Sequence, residues 1–261
     1  MIGFIGGGNM AEAMIKGMTS KGMKDIRVSE PREERRRELT MAYGVETTSS
    51  NGEVVSASDI IILAVKPQNM EAVLCEIASL ITEEKTVVSI AAGITLSYLE
   101  SKLGTRRLVR VMPNTPALAQ EGMSVISLCG CSYGPELNTV KSILMSIGKV
   151  ITLPESLMDA VTALSGSGPG FIALFAEAMI EAGIKMGLSA GDASSLAVQT
   201  LLGTAKLLDD GMPPDRLRKM VTSPGGTTEA GLKVFEEKSL RLIVGDALMA
   251  ARNRSAELGR R

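Results

Sequence analysis

Residues 1–11 of this chain read Met-Ile-Gly-Phe-Ile-Gly-Gly-Gly-Asn-Met-Ala. An apolar strand runs into a glycine-rich turn and then into the start of a helix, an order few folds accommodate. Gly6, Gly8 and Ala11 fit the G-x-G-x-x-[GA] spacing, in which each position has a mechanical task. Gly6 permits the tight turn. Gly8 lets a pyrophosphate approach the backbone, and Ala11 lets helix and strand pack closely. A helix over residues 9–20 aims its unpaired N–H groups and positive dipole end at the phosphates. The same residues also suit a tight strand-to-helix turn with no ligand.

Short β-type runs alternate with helical stretches through the first part of the chain. Residues 26–30 lead into a charged helix over 32–43. Residues 59–65 (DIIILAV) form a continuous β-branched run, as in a strand buried on both faces. Residues 86–91 and 108–112 repeat the theme, and 123–128 and 149–153 read as further, antiparallel strands. This alternation predicts an α/β domain over residues 1–154, built on a parallel, doubly wound sheet. The charges over 32–38 suit a solvated helix face, with Arg32 alone placed to reach a cofactor.

Past Pro154 the β-type runs stop. Helices rich in Ala, Leu and Met are expected over 155–164, 169–187, 189–210, 213–221, 226–236 and 238–258. In the helix that Pro169 opens, Glu177, Glu181 and Lys185 fall four apart on one line. Nearly every other residue there is apolar or small, and so narrow a polar stripe needs burial on more than one side. A helical region of this size hardly provides that alone. Residues 155–261 therefore predict an obligate dimer with a shared core.

Composition excludes several function classes. The 28 basic and 29 acidic residues nearly cancel, so nothing argues for nucleic acid or an anionic membrane as partner. Continuous apolar runs such as 60–65 are too short to span a bilayer, and the first residues read as a strand rather than a leader. Cys75, Cys129 and Cys131 are odd in number and lack metal-ligand spacing. No disulfide and no metal are expected, and a cytoplasmic setting is. The absence of histidine removes Ser-His-Asp and Cys-His hydrolases, histidine metal sites and dehydrogenases with a histidine acid. Proton transfer must fall to Lys, Thr, Tyr, Ser, a carboxyl group or water.

Five further segments are candidates for chemistry. Glu30 stands about 20 residues past the glycines, where an acidic residue takes the ribose hydroxyls of NAD. Ser29 and Arg32 beside it suit the 2′-phosphate of NADP, so NADH and NADPH both stay open. Ala64-Val65-Lys66-Pro67-Gln68 ends the most buried strand, at the edge where doubly wound sheets bind ligands. Met112-Pro113-Asn114-Thr115-Pro116 ends another, its prolines fixing a loop whose amide suits a nicotinamide or a substrate. Residues 165–170 (SGSGPG) and 223–228 (SPGGTT) read as glycine-rich turns at helix N-termini, suited to a substrate carboxylate. Thr228 adds a hydroxyl donor. Capping alone accounts for either turn singly; two in one helical region favour a site.

Six segments together resemble the pyrroline-5-carboxylate reductases: GFIGGGNMAEA at 3–13, AVKPQ at 64–68, AAG at 91–93, MPNTP at 112–116, LSGSGP at 164–169 and SPGGTTEAGL at 223–232. They occur in order and at family spacing, and the last resembles the family signature. The resemblance implies a Rossmann-type domain followed by an all-α dimerisation domain. It implies reduction of (S)-1-pyrroline-5-carboxylate to L-proline by NADPH or NADH, the last step of proline biosynthesis. The active site would include the partner subunit, and some members assemble five dimers into a decamer.

Residue by residue, the resemblance places Gly6, Gly8 and Ala11 at the pyrophosphate and Asn51 toward the adenine-side ribose; Asn9 and Met10 between the glycine turn and Ala11, and Ser29 and Glu30 after the second strand, are cofactor candidates by position. Ala64, Val65, Lys66, Pro67 and Asn114 would line the nicotinamide half. Ser223, Gly226, Thr227 and Thr228 would hold the substrate carboxylate, with the Thr228 hydroxyl meeting the ring nitrogen as the catalytic group. Gly170 departs from the usual alanine, and Glu30 from the serine of some relatives. A β-hydroxyacid dehydrogenase has a comparable layout, but Lys185 lacks that class's glycine-rich motif. A mere NAD(P) sensor has no need of the second anion-binding turn.

Overall fold

The structure, a computed structural model, describes residues 1–129 and 136–259. Cys131 lies outside the described residues. The first part of the chain forms β1 (Ile2–Ile5), α1 (Asn9–Ser20), β2 (Ile26–Ser29), α2 (Glu33–Tyr43), β3 (Glu46–Thr48), α3 (Asn51–Ala57) and β4 (Ile60–Leu63). It continues with α4 (Met70–Ile77), β5 (Thr86–Ser89), α5 (Leu96–Leu103), β6 (Leu108–Met112), β7 (Gly122–Leu128), α6 (Glu136–Met145) and β8 (Gly148–Thr152). The helical part comprises α7 (Met158–Val161), α8 (Gly168–Lys185), α9 (Ala190–Asp209), α10 (Pro214–Met220), α11 (Thr227–Glu237) and α12 (Leu240–Leu258).

One sheet takes the order β3-β2-β1-β4-β5-β6-β7-β8. Strands β3 to β6 run parallel, β7 is antiparallel to β6, and β8 is parallel to β7. This is the doubly wound α/β sheet expected, with two reversed strands added at one edge. Strand β3 was not anticipated: its three residues are polar and half exposed, too short for any period to show. Strand order reverses between β1 and β4, which opens a crevice at their carboxyl ends.

The β-branched runs are double-sided because the pleat sends alternate residues to opposite faces. Phe4, Val28, Ile62 and Val88 pack with Met14, Ile15 and Met18 of α1 and Leu144 of α6. Ile5, Ile61, Leu63 and Val87 pack with Val55, Leu74, Ile77 and Leu99 of α3, α4 and α5. Burying each large side chain contributes roughly 1.5–3 kcal/mol.

The chain forms two compact units: Met1–Ser167 together with Ala250–Arg261, and Gly168–Met249. The first therefore extends beyond the change of composition at Pro154. Glu155 Oε1 accepts from Arg110 Nη1 at 2.9 Å and from the Leu96 N–H at 2.8 Å. Asp159 Oδ1 accepts from Ser255 Oγ at 2.7 Å. Ties between positions so distant in sequence leave no mark on local composition.

Residues 155–164 are not one regular helix but a 3-10 turn (Glu155–Leu157), α7, and a π turn at Thr162–Gly166. The segment over 165–170, expected as an open turn, instead follows this helical path into α8. The Ser167 N–H donates to the Thr162 carbonyl at 2.8 Å, and such π turns cluster at functional sites. Taken together, the helical stretch Glu155–Lys185 has a window of mean hydropathy 1.3, long and apolar enough to cross a membrane. Its continuous apolar runs, such as residues 171–176, stay as short as expected. Gly, Ala and Ser break up the large apolar residues without making the helix polar. A helix that packs against a protein partner meets the same criteria.

In the second unit, Gly183, Ala193 and Ala197 are the buried residues among those described. A Cβ on Gly183 would sit 3.1 Å from that of Ala193, so small residues set the close approach of α8 and α9. Ile172, Leu174, Leu242 and Ile243 are all more than half exposed.

Candidate active site

The glycine turn is held from three directions. Gly6 N–H donates to the Ser29 carbonyl at 2.8 Å, and Gly7 N–H to Glu30 Oε2 at 3.1 Å. Arg35 Nε donates to the Gly7 carbonyl at 2.8 Å. Gly6 has φ +100°, and a Cβ there would stand 2.8 Å from the Ala64 carbonyl oxygen, so only glycine fits. Ala11 is buried against the sheet. No side chain caps α1, and the Glu12 N–H is the first to find a helical partner, the Gly8 carbonyl at 2.9 Å. The N–H groups of Asn9, Met10 and Ala11 have no acceptor among the described residues, the arrangement that suits an anion.

Gly8 differs from Gly6. Its φ is −71°, and a Cβ there meets nothing within 4 Å. A side chain at position 8 is thus harmless to the fold and intrudes only on what approaches the turn. Gly8→Val is expected to leave thermal stability within roughly 0.5 kcal/mol while weakening NADPH binding about tenfold or more. Thermal unfolding and a fluorescence titration check the two halves. An unchanged affinity would remove the turn from the binding surface.

At the end of β2 the buried Ser29 hydroxyl donates to Asn51 Oδ1 at 2.6 Å. Asn51 Nδ2 donates to Glu76 Oε2 at 2.7 Å. The structure thus joins two residues of the expected ribose subsite, with Asn51 in front and Ser29 behind it. Glu30 is buried. Burial alone pushes its carboxyl up, but hydrogen bonds from the Arg32 side chain and backbone and from Gly7 N–H, with the Arg32 charge, outweigh this and hold it below the usual carboxylate range. Arg35, read from sequence as part of a solvated face, has a largely buried side chain that braces Gly7 and pairs with Glu12. A run of alternating charges conceals which arginine turns inward.

Ala64 and Val65 are half-buried beside this turn, and Lys66 and Pro67 are exposed at the start of a 3-10 turn. Asn114 is fully engaged in holding its own surroundings. Its Oδ1 accepts from the Met123 N–H at 2.8 Å, and its Nδ2 lies 3.2 Å from both the carbonyl and the hydroxyl of Ser165. The amide expected to face a nicotinamide thus ties the loop after β6 to β7 and to the π turn. Arg110 and Glu155, both missed from sequence, anchor the same strand; nothing in their spacing marks them as a pair.

In the second unit, residues 223–228 form a tight turn into α11. Gly226 N–H donates to the Ser223 carbonyl at 3.0 Å, and Gly225 N–H to Glu229 Oε2 at 2.7 Å. A Cβ on Gly226 would lie 2.5 Å from Ser223 Oγ. No side chain caps the helix, and the Ala230 N–H is the first to bond back, to the Gly226 carbonyl. The N–H groups of Thr227 and Thr228 make no hydrogen bond among the described residues. The Thr228 hydroxyl, half-buried, makes no hydrogen bond among the described residues.

A doubly wound sheet that presents a glycine turn and an uncapped helix at its carboxyl edge defines the class: a nicotinamide-dependent oxidoreductase. Residues 1–93 match the family described as NADP oxidoreductase, coenzyme F420-dependent, and residues 155–258 match pyrroline-5-carboxylate reductase dimerisation. The chain belongs to the pyrroline-5-carboxylate reductase family, whose dimerisation region its helical part matches, implying self-association. It is 42% identical to the pyrroline-5-carboxylate reductase of Pseudomonas aeruginosa, over 98% of this chain and 96% of that one. The structure superposes on a pyrroline-5-carboxylate reductase from Coxiella burnetii with TM-score 0.91 and 37% identity, covering 98% of this chain and 97% of that one. A Plasmodium falciparum pyrroline carboxylate reductase with NADP bound gives TM-score 0.89 and 32% identity, with 99% and 97% covered.

Proposed function

We propose that this chain reduces (S)-1-pyrroline-5-carboxylate to L-proline with NADPH or NADH, the last step of proline biosynthesis. The observation that carries the reading is the turn at Ser223–Thr228, an uncapped helix start beside an unspent hydroxyl. Such a start holds a small carboxylate, and the family of the whole chain supplies the substrate class. A nicotinamide held there would supply a hydride to the carbon of the protonated imine, whose nitrogen would keep its proton and take the π electron pair, so that the C=N bond would become a single bond.

Gly6, Gly8, Asn9, Met10 and Ala11 hold the pyrophosphate in this reading. Asn51, backed by Ser29, meets the ribose end, and Ala64, Val65, Lys66 and Pro67 line the nicotinamide half, with Asn114 fixing the neighbouring loop. Ser223, Gly226, Thr227 and Thr228 grip the carboxylate. A threonine hydroxyl is too weakly acidic to act as a free general acid, so Thr228 orients the ring nitrogen and passes a proton with water. A protonated imine is already electrophilic, and positioning supplies much of the remaining acceleration. Residues 1–154 serve as the cofactor domain and 155–261 as the dimerisation and substrate domain of a cytoplasmic homodimer. Five such dimers form the decamer of some relatives, with no nucleic acid or membrane as partner.

The test is oxidation of NADPH and of NADH by the purified protein with pyrroline-5-carboxylate, and chromatography of the product. Cofactor consumption matched one-for-one by L-proline is expected. No oxidation with either cofactor would overturn the reading.

A further inference from the structure

In a doubly wound sheet the residue that follows β2 selects the cofactor. A carboxylate there accepts from the ribose hydroxyls of NAD and repels the 2′-phosphate of NADP. Glu30 has that position and different partners. Its side chain is 6% exposed. Oε1 accepts from both the backbone N–H and the Nε of Arg32, at 3.2 and 2.7 Å. Oε2 accepts from Gly7 N–H at 3.1 Å. Three of the roughly four acceptor directions of the carboxylate are spent, and the fourth is buried.

Arg32 is disposed the opposite way. Its side chain is 67% exposed, and its bonds to Glu30 use only Nε and the backbone N–H. Its terminal nitrogens carry no partner among the described residues. Arg36 steadies the same corner, with Nη1 donating to the carbonyls of Glu30 and Pro31 at 2.8 Å each. The ion pair cancels the negative charge that would repel a phosphate, and it leaves a guanidinium edge exposed three residues past the end of β2. A guanidinium suits phosphate better than it suits a hydroxyl pair.

We propose that Glu30 is a positioning residue rather than a ribose reader: it clasps Gly7 to Arg32, and Arg32 selects NADP(H) over NAD(H) through the 2′-phosphate. The inference rests on the dinucleotide-binding reading of the first unit and not on the identity of the imine.

The experiment uses nucleotide fragments that carry the discriminating end without the nicotinamide, so its outcome is separate from that of the activity assay. Adenosine 2′,5′-bisphosphate and 5′-AMP are titrated calorimetrically into the full-length protein and its variants. The wild type is expected to bind the bisphosphate about tenfold or more tightly than AMP. Arg32→Ala, at an exposed position the fold does not need, should bring that ratio close to one while AMP affinity stays within about twofold. Glu30→Gln should weaken both ligands and also narrow the ratio, because Arg32 is released; loss of stability alone would leave the ratio unchanged. Equal affinities in the wild type, or a preference that survives Arg32→Ala, would overturn the proposal. So would tighter bisphosphate binding by Glu30→Gln, the signature of a carboxylate that reads ribose.

Discussion

Replacing Ile172 and Leu174 together by glutamate is expected to convert the protein into monomers with no measurable reductase activity. Both residues lie on α8, and their side chains are 60% and 65% exposed within one chain. The unit that contains them, Gly168–Met249, has three buried residues among those described, all glycine or alanine. Ordering a chain costs on the order of 1–2 kcal/mol per residue in backbone entropy, and so little burial cannot offset that. The match of residues 155–258 to a dimerisation family points to self-association as the source of the missing stabilisation. Each apolar side chain covered in a dimer contributes roughly 1.5–3 kcal/mol. An uncompensated carboxylate in the same place costs several kcal/mol more, so the pair of changes should shift the association constant by at least about a thousandfold. Sedimentation equilibrium and a parallel activity assay decide it. A variant that keeps its association state would take the subunit contact away from this part of α8.

Thr228→Ala should lower turnover about tenfold to a hundredfold, the loss of roughly 1–3 kcal/mol for one hydrogen bond to the reacting nitrogen. NADPH affinity should change by less than about threefold. The hydroxyl stands in the first turn of α11 and is committed to nothing within the described residues. Its removal therefore breaks no bond that stabilises the fold. Thr228→Ser, which keeps the hydroxyl, should retain most of the turnover, and Thr228→Val, which keeps the shape, should not. Unchanged turnover in the purified Ala variant would reject the role.

Where elements are long and periodic, the sequence and the structure agree closely. The runs at 59–65 and 86–91 became β4 and β5, and the alanine-rich stretches became α8 and α9. Local pattern suffices there because one burial rule governs the whole segment. It failed at β3, which is too short to show a period, and at residues 155–167, where 3-10, α and π turns follow one another. Of the candidate site, the glycine turns over 6–11 and 223–228 were readable because they depend on backbone shape, which glycine itself dictates, whereas 165–170 was drawn into the helical path. The duties of Glu30, Arg35 and Asn114 were not. Each is decided by a partner between 23 and 51 residues away, at Gly7, Gly7 and Ser165.

The turn over residues 6–11 by itself determined that a strand, a tight bend and an uncapped helix follow one another, because a residue without a Cβ adopts the φ of +100° that the bend at Gly6 needs. The tertiary structure decided what stands around that bend. It buried the carboxylate that the sequence offered to a ribose and turned Arg32 outward. It also left large apolar side chains of α8 and α12 exposed. Backbone geometry is local and so is written in consecutive residues. Charge pairing and burial depend on which distant segments the sheet brings together.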